Sequence, residues 1–316
     1  MTSATDYASD IQTYLTTEIC KAMGLPPHGI LRSLLEPIFA LPLRHLAKLA
    51  ADFEGQVAEN GFRQAVRWVL PQLIQGLEVT GIENVPVEGP LVVASNHPGT
   101  YDSLAIAASL PRDDLKIIVG ENPFFCSLTN ARQAFIMAPP AESEGRMLVV
   151  RQAIHHLEDG GAVLIFPTGS IDPDPAYLQP EAPRSFERWS PSVELLLRKV
   201  PQAHLVTTIV SRIVASRYIQ HPLTRLLRKG RWERQKMAEF MQVLQQLVFG
   251  RRVELIPQLT FGEPITFPEL TDGASRAIQR IIEQAKKLLE VHNNMLFATR
   301  SPMNLLNHKN PYGQYF

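Results

Sequence analysis

Leu91-Val-Val-Ala-Ser-Asn-His-Pro-Gly-Thr-Tyr-Asp102 reads as a strand, a turn and the start of a helix. Leu91 to Ser95 is the strand, and the turn-rich Glu83 to Pro90 marks where it begins. Pro98 biases His97 toward an extended backbone and Gly99 permits a sharp turn, so the chain leaves the strand and folds back. Asp102 then falls in the first turn of a helix carrying the apolar run Leu104 to Leu110. On one continuous helix, side chains five residues apart would point about 140° apart, so a pairing of His97 with Asp102 requires this turn. An imidazole with one nitrogen held by a carboxylate and the other open to a proton is a general base. The residues alone leave a second reading open, a strand-end histidine followed by a helix N-cap.

Outward from this stretch, strand-like and helical runs alternate. Strands are expected at Leu77 to Gly81, Lys116 to Val119, Phe135 to Met137, Ala162 to Phe166, Leu205 to Val210 and Val253 to Phe261. Helices are expected at Arg146 to Glu158, Val193 to Lys199, roughly Thr224 to Phe249, and about Ala274 to Leu296. The pattern predicts an α/β fold, a mixed central sheet flanked by helices, with functional residues at strand ends. Ahead of it, apolar residues recur at helical spacing from Ile30 to Leu77 and predict an N-terminal helical region. The expected organisation is a helical region over 1–76, an α/β domain over 77–270, and a C-terminal helix and tail over 271–316.

Composition narrows the function. With 45% apolar residues the chain can bury a sizeable core, and with 31 basic and 31 acidic residues overall charge gives no footprint for nucleic acid. Cys20 and Cys126 are far apart and match no disulfide or zinc spacing, which fits a reducing compartment. The remaining histidines form no ligand set, so no metal is expected. Neither a secretory signal nor a run of roughly 18 apolar residues is present. Serine-hydrolase elbows, phosphate-cradling loops and dinucleotide fingerprints are likewise missing from the sequence.

Asn96, His97 and Asp102 match Asn-His-x4-Asp, and Val163-Leu-Ile-Phe-Pro-Thr-Gly-Ser170, preceded by Leu157-Glu-Asp-Gly-Gly161, follows at the matching distance. In these blocks, from roughly Leu77 to Pro264, the chain resembles the glycerol-3-phosphate and lysophosphatidic acid acyltransferases. The resemblance implies transfer of a fatty acyl group from acyl-CoA or acyl carrier protein to a hydroxyl of a glycerolipid-type acceptor, without a cofactor. His97 and Asp102 become the catalytic pair; Asn96, Gly99, Thr100, Phe166, Pro167, Thr168, Gly169 and Ser170 become substrate-binding candidates. The chain departs from the family where Thr168 stands in place of a glutamate and no arginine follows Gly169. It departs again where Met137 and Ala138 follow Phe135-Ile136.

Arg146, Arg184 and Arg188 are candidates to take over an acceptor phosphate, or are ordinary surface arginines. Asp172 and Asp174 either recognise an unusual acceptor or are turn residues before proline. Between Arg198 and Arg252, twelve Lys and Arg face only Glu233 and Glu239. This run is either an anion-attracting surface or a solvated helix face. Leu34, Leu35, Ile38, Phe39 and Leu43, beside Arg32, Arg44 and Lys48, suit either a headgroup interface or packing on the sheet. The resulting expectation is a cytoplasmic enzyme, peripheral on the cytoplasmic face of a membrane, with no nucleic-acid partner.

Overall fold

A computed structural model describes residues 30–140, 145–227, 230–250, 252–271 and 276–297. Two compact units divide the chain: one takes Met1–Ile74, Glu121–Arg132 and Val214–Glu254, the other Gln75–Gly120, Gln133–Ile213 and Leu255–Phe316.

The second unit holds the sheet. Its strands are β1 (Glu78–Thr80), β2 (Leu91–Ser95), β3 (Leu115–Gly120), β4 (Phe135–Ala138), β5 (Ala162–Ile165), β6 (His204–Ser211), β7 (Gln258–Phe261) and β8 (Ile265–Thr266). They lie in the order β1-β7-β6-β2-β5-β3-β4, with β8 against β6. Pairing of β6 with β7 and β8 is antiparallel and the other pairings are parallel, so the sheet is mixed, as the alternation of runs predicts. β2 is central, in register with β5 at Leu91↔Ala162 and with β6 at Leu91↔His204. All five of its residues are buried, as expected of a parallel strand covered on both faces.

Val92 and Ala94 of β2, Val163 and Ile165 of β5, and Leu205 and Ile209 of β6 share one core. Helices Arg146–Glu158, Ser192–Lys199 and Ala277–Phe297 close it with Leu157, Leu196, Leu197, Ile281, Ala285 and Leu289. The spacing of Ile281, Ala285 and Leu289 is one face of a helix, which is why the C-terminal periodicity was readable.

His292, on that last helix, is fully buried, with Nδ1 2.8 Å from Thr260 Oγ1 and Nε2 2.7 Å from Ser211 Oγ. One ring nitrogen donates and the other accepts. Burial, with a smaller contribution from the charge of Arg212, holds its pKa down to about 3. The folded value lies below the unfolded one, so the unfolded chain binds the extra proton between the two. Stability is therefore lost as pH falls from about 6.5 toward 3, by about 1.4 kcal/mol per pH unit for one proton. His292→Gln, which cannot take up that proton, is expected to melt below wild type at pH 8 and to close the gap between pH 6.5 and 4. Melting curves that stay parallel across that range contradict a neutral His292.

In the first unit, helices Ile30–Asn60, Phe62–Leu73 and Arg231–Phe249 pack together. Gln235, Glu239, Gln242 and Gln246 form a buried polar stripe on the last of these. Gln242 Oε1 accepts from Ala215 N–H at 2.8 Å, and Gln246 Nε2 donates to the carbonyl of Leu73 at 2.5 Å.

Two sequence expectations change. The helical run over Thr224 to Phe249 is two helices, Pro222–Leu227 and Arg231–Phe249, the second entered from Gly230 in an extended conformation. The strand over Val253 to Phe261 shortens to β7, because Pro257 has no N–H to give a ladder and the Leu255 carbonyl accepts from the Gln75 and Gly76 amides instead. Among the described residues no helix is long and apolar enough to cross a membrane.

Candidate active site

β2, β5 and β6 run parallel, so their carboxyl ends lie at one edge of the sheet. The segments that follow them, Asn96 to Asp102, Phe166 to Asp174 and Arg212 to Ile213, are brought together there.

Asn96 continues β2 by side chain rather than backbone. Its Nδ2 donates to the Val210 carbonyl and its Oδ1 accepts from the Val210 amide, both at 2.8 Å. With both ends of the amide engaged and the residue buried, Asn96 stitches β2 to β6, and its side chain is committed to the sheet rather than turned to a ligand.

After it the chain turns as the proline and glycine predict, and His97 Nδ1 lies 2.8 Å from Asp102 Oδ2. The pairing that a single helix would forbid is made. Asp102 opens helix Asp102–Ser109, and its carboxylate also accepts from the Gly99 amide at 3.1 Å and the Ser103 amide at 2.6 Å. Three N–H groups thus fix a carboxylate whose side chain is 0% exposed, beside an imidazole that is 29% exposed. Gly99 is not among the residues with positive φ; its contribution is its amide, and its carbonyl accepts from Asp102 N–H at 3.4 Å. The Phe166 ring lies against the imidazole, centroids 4.5 Å apart and planes tilted by 31°, which restrains rotation of His97.

The segment after β5 forms the opposite wall. Gly169, at φ +63, completes a turn in which its amide donates to the Phe166 carbonyl at 3.0 Å. Pro167 is buried and its carbonyl accepts from Ser190 N–H at 3.0 Å. Thr168 Oγ1 lies 3.0 Å from Asp172 Oδ2 and 2.9 Å from the Ser170 carbonyl. Thr100, Gly169 and Ser170 are exposed.

Asp172 and Asp174 are both buried, and both do more than end a turn. Asp172 Oδ2 accepts from the His97 amide at 3.0 Å, while Asp172 N–H donates to the His97 carbonyl at 2.6 Å. Its Oδ1 lies 3.3 Å from Arg188 Nη2. Burial pushes the Asp172 carboxyl up to about 6, against the His97 amide and Thr168 hydroxyl bonds and the charges of His97 and Arg188. Asp174 accepts from the amides of Ala176, Arg212 and Ile213 at 2.9, 3.1 and 2.9 Å. Complete burial pushes it also up to about 6, against those bonds and the charge of Arg212. It holds Arg212 at φ +59, the one non-glycine residue with positive φ among those described.

Arg188 is joined to the site through Asp172. Arg146 and Arg184 are exposed, and among the described residues no hydrogen bond or ion pair ties their side chains to His97, Asp102 or Asp172.

Residues 76–188 match the family model described as Acyltransferase. The matched segment contains His97, Asp102, the turn at Gly169 and Asp172. No curated protein matches the chain in sequence. Among solved structures, the 1-acyl-sn-glycerophosphate (LPA) acyltransferase PlsC from Thermotoga maritima is similar at 14% sequence identity, with a TM-score of 0.45. That similarity spans 92% of this chain and 100% of the other.

The basic run that stands out in the sequence is divided between the two units. Arg198 and Lys199 end the helix Ser192–Lys199 in the sheet unit, while Arg217, Arg231, Arg234 and Lys236 belong to the helical unit. Arg212 turns inward, 3.5 Å from Glu78 Oε2 and donating to the Leu296 carbonyl at 3.3 Å. Lys236 lies over the Trp232 ring, 4.3 Å from its centroid. Arg228, Lys229 and Arg251 lie outside the described residues, as do the side chains of Arg225 and of Leu34, Leu35, Ile38, Phe39, Leu43, Arg32 and Arg44.

Proposed function

We propose that this protein is an acyltransferase that moves a fatty acyl group from acyl-CoA or acyl carrier protein to a hydroxyl of glycerol-3-phosphate, lysophosphatidic acid or a related lipid acceptor. The observation that supports it is a fully buried carboxylate 2.8 Å from one nitrogen of a partly exposed imidazole. With Nδ1 held by Asp102, Nε2 takes the proton of the acceptor hydroxyl as its oxygen attacks the thioester carbon. The tetrahedral intermediate collapses, the carbon–sulfur bond breaks, and the imidazolium returns its proton to the departing thiolate. Asp102 favours the tautomer that starts this sequence and the cation midway through it.

A second acceptor class, a hydroxyl without phosphate, is favoured by one observation. Thr168, standing where the family's glutamate would be, is engaged with Asp172 and the Ser170 carbonyl, and Arg188 is paired with Asp172.

Incubating purified protein with labelled acyl-CoA or acyl carrier protein and a panel of acceptors separates these readings. Product on glycerol-3-phosphate or lysophosphatidic acid supports the first, and product on monoacylglycerol or a polyol alone supports the second. Transfer to none of them, with donor and lipid still bound, leaves a non-catalytic lipid-binding protein. A long-chain product partitions into lipid, which supports a peripheral site of action on the cytoplasmic face of a membrane. Flotation with anionic vesicles tests that placement: protein that stays at the bottom of the gradient contradicts it.

A further inference from the structure

We propose that Asp172 is a positioning residue for acyl transfer, a second carboxylate that holds His97 by its main chain while Asp102 holds it by its ring. This deepens the reading above and rests on His97 being the base.

His97 follows the end of β2, beyond the ladder that pairs Ser95 with Thr208, and it precedes Pro98. Backbone groups at such a place need partners from elsewhere in the fold. Asp172 supplies both, its carboxylate taking the His97 N–H at 3.0 Å and its own amide bonding the His97 carbonyl at 2.6 Å. The two residues are 75 apart in sequence, so this link ties the turn after β2 to the turn after β5. Thr168 closes the second turn onto the same oxygen. Asp174, two residues on and equally buried, bonds Ala176, Arg212 and Ile213.

The consequence is geometric first. A base displaced by about 1 Å can lose on the order of a hundredfold in rate. It is electrostatic second. The charged groups acting on Asp172 are His97 and Arg188, and its negative charge favours the imidazolium that the reaction passes through.

Asp172→Ala and Asp172→Asn in the full chain test the proposal. Each is assayed for kcat, donor KM, the pH–rate profile and melting temperature, with His97→Ala as the inactive control. Asp172→Ala is expected to lose roughly a hundredfold in kcat with little change in donor KM. Asp172→Asn keeps an oxygen for the His97 amide and is expected to recover most of that loss. Having lost the charge, it should move the acid limb of the profile to lower pH, which a purely structural role would not do. Asp172→Ala at wild-type kcat, or an acid limb that stays put in Asp172→Asn, overturns the proposal. Should the alanine variant fail to fold, the asparagine variant carries the test alone. Should wild type acylate nothing, the functional reading fails by itself. The His97 ring proton titration in Asp172→Asn, followed by nuclear magnetic resonance, then decides the link, and an unchanged titration overturns it.

Discussion

Replacing His97 with alanine is expected to lower kcat for acyl transfer by roughly a thousandfold, within the range that general base catalysis supplies. The fold should survive, because the imidazole is partly exposed; the ring contact with Phe166 and the bond to Asp102 go with it. A melting temperature close to wild type, with transfer lost, is the expected pair of results; transfer at near the wild-type rate would remove His97 from the chemistry. Asp102→Asn is expected to behave differently. The carboxylate accepts from His97, Gly99 and Ser103 through two oxygens, and asparagine has one. Either orientation of the amide sets an NH2 against an N–H donor, so this variant should lose both activity and stability.

The largest stability effect is expected far from that site. Arg112 is buried at the amino ends of the strands, where its guanidinium donates to the carbonyls of Gly89 and Gly160 at 2.8 and 2.9 Å. It reaches the Pro86 carbonyl at 3.4 Å and grips Asp114 with two bonds of 2.7 and 2.6 Å. Burial raises the Asp114 pKa, but the hydrogen bonds and charge of Arg112 outweigh it and hold that carboxyl below its ordinary value. Arg112→Ala leaves the carbonyls at the entries to β2 and β5 without their donor. At about 1 kcal/mol for each of three, the loss is about 3 kcal/mol, with little added for the half-exposed Asp114. That corresponds to a fall in melting temperature of roughly 4–5 °C for a chain of this size. Arg112→Lys keeps the charge and loses the fork, so it should recover only part; full recovery would show that charge alone matters there.

What the sequence revealed and what it hid follow the range of the interactions. β2, its turn and the dyad are local: a buried apolar run, a proline, a glycine and an aspartate within Leu91 to Asp102 carry the information. The helix and strand runs that fill the core are local too, since each repeats its apolar residues at its own period. Asn96 and Asp172 were named as candidates, but their contacts were hidden: Val210, the partner of Asn96, is 114 residues away, and a carboxylate before proline looks like any turn residue until His97 is placed beside it. Arg112 carries no local signal of burial; the carbonyls it joins precede two strands, β2 and β5, that are far apart in sequence.

The placement of β2 also governs how the protein comes to fold. Its two neighbours in the sheet are β5, at Ala162–Ile165, and β6, at His204–Ser211, so during synthesis the strand is made long before either partner exists. Pairings so remote in sequence close slowly, and an unpaired apolar strand is an invitation to stick to other chains. A nascent chain released before Ala162 would carry His97 and Asp102 with neither neighbouring strand beside them.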